Sequence, residues 1–129
     1  MFLPIKSDNG ALLPWEYMSA AAGDYKAGQL LTVDEGFLAA IEDATTEAPP
    51  YLCMADITLE EGGILPVTRI SEDYIYETTL AAADATAAVG GKLQIAAGGL
   101  EAAAGPGAFE IVYLDGKAAG DMVRGRFAN

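Results

Sequence analysis

Histidine is absent from the 129 residues. That removes the commonest general acid–base group and the commonest metal ligand. The one cysteine, Cys53, stands in the apolar run Tyr51-Leu52-Cys53-Met54-Ala55. It has no partner for an intramolecular disulfide and no cationic neighbour in sequence to lower its pKa. We read it as an inert buried thiol. Ser7, Ser19 and Ser71 have neither a G-x-S-x-G frame nor a histidine to activate them. Carboxylates are plentiful, at nineteen Asp plus Glu, so some pair at a glycosidase-like separation is inevitable and carries no specificity. Asp34-Glu35-Gly36 and Glu60-Glu61-Gly62 read as solvated turns, and so does Asp8-Asn9-Gly10. None supplies the spaced oxygen ligands of a D-x-[DN]-x-[DN]-G calcium loop. Gly90-Gly91 and Gly98-Gly99 read as hairpin glycines. Gly116-Lys117 runs into Ala118-Ala119 and fails the P-loop pattern. The expectation is a chain that is not an enzyme, with no cofactor and no metal.

Composition narrows the remaining classes. A chain of 13.3 kDa matches one domain on the usual scale of ~100–200 residues. The apolar fraction of 52% excludes an intrinsically disordered chain, which cannot bury enough surface to offset its entropy. Seven Lys plus Arg leave a net charge of −12. Phosphate backbones and anionic membranes are repelled by such a surface, so neither nucleic acid nor membrane is an expected partner. Met1–Lys6 lacks the long apolar stretch of a secretory signal. No run approaches the ~20 apolar residues of a membrane-spanning helix. Synthesis in the cytoplasm is the corresponding expectation.

Any binding surface must be positioned by short strands. Residues 1–24 read as an irregular arm, with Pro4 and Pro14 and a small-residue run at 19–23. Phe2, Leu12, Leu13, Trp15, Tyr17 and Met18 make it too apolar for a free tail, so it packs on its own domain or on a neighbouring subunit. From residue 25 to 129 we expect a single β domain. Gln29–Val33 and Phe37–Ile41 around Asp34-Glu35-Gly36 form a hairpin pattern. Further strands are expected at Tyr51–Ile57, Ile64–Ile70, Asp73–Leu80, Lys92–Ile95, Leu100–Ala102, Phe109–Leu114 and Met122–Phe127. Pro66 argues for an edge or a bulge in its strand. Residues 81–88 are the one helix-capable stretch, a helical turn or a small-residue loop. The fold class is therefore all-β, a small barrel or sandwich of short antiparallel strands.

The two halves resemble each other, over residues 27–70 and 89–127. Gly28 and Leu31–Ala40 align without gaps on Gly90 and Leu93–Ala102. Tyr51–Met54 then aligns on Phe109–Val112, and Gly62–Leu65 on Gly120–Val123. Each unit is too small to bury its own apolar face, so two such units must share a core.

Two features point toward assembly. Arg124 and Arg126 project from one face of the last strand by alternation. They either pair with the acidic body or meet a carboxylate across an interface. Trp15 and Tyr17 are aromatic anchors, in a core or at an interface.

The rhythm of Ala27–Val33, Gly36–Ile41 and Pro50–Ala55 resembles bacteriophage capsid decoration proteins, also called head stabilisation or cement proteins. The resemblance spans Tyr25–Phe127. It implies a virion protein on the capsid surface, often trimeric, that bridges subunits of the major capsid protein. The family's N-terminal contact would fall on Met1–Ala22, which makes Phe2, Pro4, Trp15 and Tyr17 interface candidates. Arg124 and Arg126 join them on the strand argument above. Two alternatives stand beside this reading. One is a small β-barrel module binding a peptide or carbohydrate through Tyr51, Tyr74, Tyr76 and Tyr113. The other is a different phage head–tail part.

Overall fold

The structure, a computed structural model, describes residues 1–7 and 15–128. The turn expected at Asp8-Asn9-Gly10, and Leu12, Leu13 and Pro14, lie outside them. The described residues form thirteen strands and no helix. They are β1 (Leu3–Ser7), β2 (Glu16–Ala20), β3 (Gly23–Tyr25), β4 (Leu30–Asp34), β5 (Phe37–Ala40), β6 (Tyr51–Cys53) and β7 (Ile57–Leu59). Then come β8 (Gly63–Arg69), β9 (Tyr74–Thr79), β10 (Lys92–Ile95), β11 (Ala102–Ala103), β12 (Phe109–Leu114) and β13 (Met122–Phe127).

The hairpin forms where expected, with Asp34 drawn into β4 opposite Phe37. That leaves a two-residue turn, Glu35 at φ 50° and Gly36 at φ 86°. Two left-handed residues in succession match the twist of the flanking strands.

The halves share one topology. In the first, β2-β5-β4-β6-β8 close into a barrel. In the second, β9-β13-β12-β10-β11 follow the same neighbour order, and β1 is added outside β9. Closure differs: the parallel pair Ala20↔Leu38 joins β2 to β5 and closes the first half, whereas the second half is a six-stranded sheet in which an isolated parallel bridge, Leu80↔Ala102, links the end of β9 to β11. Registers correspond strand by strand. Tyr51↔Arg69 and Cys53↔Val67 are repeated as Phe109↔Phe127 and Ile111↔Gly125. Met18↔Leu65 and Tyr17↔Pro66 are repeated as Thr78↔Val123 and Glu77↔Arg124. Backbone hydrogen bonds repeat as well. Gly28 N–H donates to Cys53 and Gly90 N–H to Ile111; Gly62 N–H donates to Ala20 and Gly120 N–H to Leu80.

This equivalence corrects the sequence alignment at one place and extends it at another. The return strand is shifted, so Leu38 corresponds to Ala102 rather than Leu100, because the second hairpin has the longer turn. The repeat also includes β2 and β9, which fall outside the aligned part of each half.

The expected irregular arm is replaced by strands. β1 pairs with β9, β2 with β8, and β3 with β7. β3 runs through the boundary expected between residues 24 and 25. Alternating burial in β2, with Ala20 inside and Tyr17 outside, gives that segment a sheet to join. The strand expected over Tyr51–Ile57 is split, with β6 ending at Cys53 and β7 starting at Ile57 to pair with β3. Leu100–Ala102 contributes only its last residue to β11.

Pro66 lies inside β8, flanked by β2 and β6, not at an edge. Its carbonyl accepts from Met54 N–H, and the N and C=O of one strand residue point the same way. The missing donor therefore falls where β6 has already ended, so the ladder loses little. Residues 81–88 are turns and bends. Ala81 N–H donates to Ala102 and Asp84 N–H to Lys117, which ties the stretch onto the second half instead of into a helix.

Two apolar clusters lie within the halves. Leu31, Leu38, Tyr51, Cys53, Leu65 and Val67 fill the first. Leu93, Phe109, Ile111, Val123 and Phe127 fill the second, which also takes Phe2, Leu30 and Leu52. The join is backbone-tight. Leu30 N–H donates to Gly99 O at 2.8 Å, Gly98 N–H to Ile41 O at 2.8 Å, and Thr45 and Ile95 exchange both hydrogen bonds.

Candidate functional site

The six interface candidates separate. Phe2 is fully buried, its ring 5.6 Å from Phe109 edge-on and 6.0 Å from Phe127. Its amide donates to Gly28 O at 2.7 Å. Phe2 is therefore a core residue of the second half, which corrects its reading as an interface residue. Pro4 sits in β1 opposite Tyr76, half-buried.

Trp15 and Tyr17 are exposed, at 53% and 68%. Pairing of β2 with β8 sets Tyr17 opposite Pro66 and Ser19 opposite Ile64, itself 53% exposed. Paired residues share a sheet face. Tyr17, Ile64 and Pro66 thus form one outward apolar strip on the first barrel, with Trp15 at its end by alternation. Glu16 and Arg69 close the neighbouring rim through a two-point ion pair, 2.7 Å and 3.2 Å. The Arg69 guanidinium lies 5.4 Å from the centre of the Tyr51 ring. Ile64 was legible from alternation with Leu65 and Val67. Its place beside Tyr17 was not, because only the β2–β8 register makes them neighbours.

Arg124 is engaged within the chain. Its Nε donates to Glu77 Oε2 at 3.0 Å, and its guanidinium lies 5.5 Å from the centre of the Tyr113 ring. Arg126 stands across from Glu110 in the β12–β13 ladder. Both arginines lie on the outer face of β13, while Val123, Gly125 and Phe127 point inward. The structure brings neither arginine to the Trp15–Tyr17 strip.

The tyrosines do not form one patch. Tyr76 is fully buried and its hydroxyl accepts from Ser71 N–H at 3.3 Å. Tyr51 is buried in the first barrel, and Tyr113 lies exposed beside Arg124. Burial pushes the Tyr76 phenol pKa up, offset in part by the Ser71 N–H. Tyr25 is also raised by burial, and its hydroxyl donates to Ala21 O at 2.6 Å. Tyr51 and Tyr76 thus lie in the cores, and the tyrosine face of the alternative reading keeps the half-buried Tyr74, its ring centre 6.5 Å from that of Tyr76, and the exposed Tyr113.

Cys53 Sγ lies 3.2 Å from Ala55 O, and burial raises the thiol pKa. The neutral thiol is the favoured form, which suits a packing role. Asp34, Glu42, Asp43 and Glu47 line a groove of about 470 Å³ beside the β4–β5 hairpin. Among the described residues, no three His, Cys, Asp or Glu side chains are grouped to hold a metal ion.

No protein-family model matches the chain, and no curated protein matches it.

Proposed function

We propose that this chain is an assembly protein of the capsid-decoration kind: it binds the surface of a phage or prophage shell and bridges subunits of the major capsid protein. The observation that carries the reading is the outward strip of Trp15, Tyr17, Ile64 and Pro66 on a chain of net charge −12. Aromatic side chains held outward on a rigid sheet are preorganised anchors for a protein surface, with little conformational entropy left to lose. The charge keeps the free chain dispersed until a complementary surface is met. Repetition over a lattice then turns modest single contacts into large avidity. A homo-oligomer, with a trimer favoured, is part of this proposal.

The test is particle fractionation. Prophage is induced in the native host, particles are sedimented through a density gradient, and the chain is quantified by mass spectrometry beside the major capsid protein. Stoichiometric presence is the expected result. Absence from particles that carry the capsid protein of the same locus refutes the proposal.

A further inference from the structure

The repeat supplies an internal template for one edge of the fold. In the second half, β13 lies along one side of β9 and β1 along the N-terminal part of the other. Leu3 stands opposite Glu77, Pro4 opposite Tyr76 and Lys6 opposite Ile75, all antiparallel. Beyond β1, the same side of β9 reaches β11 through Leu80↔Ala102. In the first half, β8 lies along one side of β2, and β5 meets the other side only at Ala20↔Leu38. The registers make Tyr17 the counterpart of Glu77 and Glu16 the counterpart of Tyr76. Among the described residues, no strand occupies the place on β2 that β1 occupies on β9.

The backbone at that place faces outward. Pro66 turns its carbonyl to Met54, on the β6 side. Alternation then directs Leu65 and Val67 toward β2, where they meet Met18 and Glu16. The amide and carbonyl of Tyr17 consequently point to the opposite side, where none of the described strands pairs with Tyr17.

We propose that the edge of β2 at Tyr17 is a strand acceptor: an extended segment of a partner protein adds there, antiparallel, as β1 adds to β9. The inference rests on the assembly reading above and names its mode of contact. The residue of that segment opposite Tyr17 takes the place of Leu3 and shares a face with the Tyr17 ring, so it is apolar. The acceptor chain carries −12, so the segment is neutral or cationic overall. A second copy of this chain is the poorer occupant on both counts. It carries the same charge, and its own β1 is held by four paired residues on β9. Main-chain hydrogen bonds supply affinity in this mode, and alternate side chains supply specificity.

The test uses the full chain and the particles of the fractionation experiment. Tyr17→Pro removes the outward amide donor and leaves the β8-facing groups of Glu16 and Met18 in place; circular dichroism and the Tm confirm that it folds. Tyr17→Ala, which removes the same ring and keeps the outward amide, is the reference, and the expected result is particle binding at least tenfold weaker for Tyr17→Pro than for Tyr17→Ala. Independently of any variant, the Tyr17 amide in the wild-type chain is expected to exchange rapidly when free, and at least tenfold more slowly on particles. Folded Tyr17→Pro that binds like Tyr17→Ala overturns the proposal and leaves the assembly reading standing. Slow exchange in the free chain overturns it, because the edge is then covered from within. Self-association that Tyr17→Pro abolishes overturns it in favour of a second copy. Absence of the wild-type chain from particles overturns the assembly reading, and this inference with it.

Discussion

Phe2 is the residue on which an N-terminal arm and an integrated N-terminal strand make opposite predictions. Phe2→Ala removes a fully buried ring that touches Phe109 and Phe127. A buried phenylalanine takes roughly 150–250 Å² out of water. At about 25 cal/mol per Å², an upper estimate, this is worth ~4–6 kcal/mol. Truncations of this kind cost about 3–5 kcal/mol in practice. Part of the loss is the edge-on contact with Phe109, worth ~0.5–1.5 kcal/mol beyond its area. Urea unfolding followed by Trp15 fluorescence measures it. With a slope of about 2 kcal/mol per M, the midpoint should fall by roughly 1.5–2.5 M at unchanged slope. Phe2→Leu, which keeps most of the volume, should lose less than half as much. A midpoint shift below about 0.5 M for Phe2→Ala would mean that the ring is not in the core and that β1 is not anchored through it.

Gly99 has φ +74°, and a Cβ there would lie 2.5 Å from Leu30 O. Gly99→Ala should therefore cost more than ~2 kcal/mol by differential scanning calorimetry, whereas Gly36→Ala, also left-handed but in open space, should cost about 1–2 kcal/mol. Arg124→Ala should change stability by no more than about 1 kcal/mol, and less in 0.5 M salt, because its pair with Glu77 is partly exposed and screened. For Cys53, Tyr25 and Tyr76 the folded pKa is raised above the unfolded value by burial. Their contribution is fully present below the unfolded values, 9.0 for the thiol and 10.0 for the phenols, and is lost as pH rises through the folded ones. Urea midpoints measured between pH 8 and pH 11 should fall progressively, and a flat profile would contradict the burial of these groups. Cys53 should react with a disulfide reagent only after unfolding.

Much of the fold was legible locally. β12 and β13 stand at the residues expected: β12 is rich in β-branched and aromatic residues, and β13 alternates Val123, Gly125 and Phe127 with Arg124 and Arg126. The β4–β5 turn was legible because Glu35-Gly36 takes two left-handed residues in succession. The aligned glycines Gly28 and Gly90, Gly36 and Gly98, and Gly62 and Gly120 all have positive φ. They marked the duplication because a side chain at such a position is strained. The N-terminal strands were not legible. β1, β2 and β3 are short, and β1 contains a proline, so each is stabilised by partners distant in sequence. Local propensity cannot report a partner that only the tertiary fold supplies.

The candidate site divides along the same line. By itself the sequence determined which chemistry was available: no histidine, one cysteine without a cationic neighbour, a surplus of carboxylate, and apolar aromatics near the N-terminus. It also determined that the chain is all-β and repeated, since composition and the period of alternation act within a few residues. Only the tertiary structure decided the use of each side chain. Phe2 and Tyr76 went inward, Arg124 was engaged by Glu77, and Trp15 and Tyr17 were left outside, Tyr17 opposite Pro66. The physical reason is register. A slip of one residue exchanges the two faces of a strand, and register is set by long-range pairing and by which face the common core can cover.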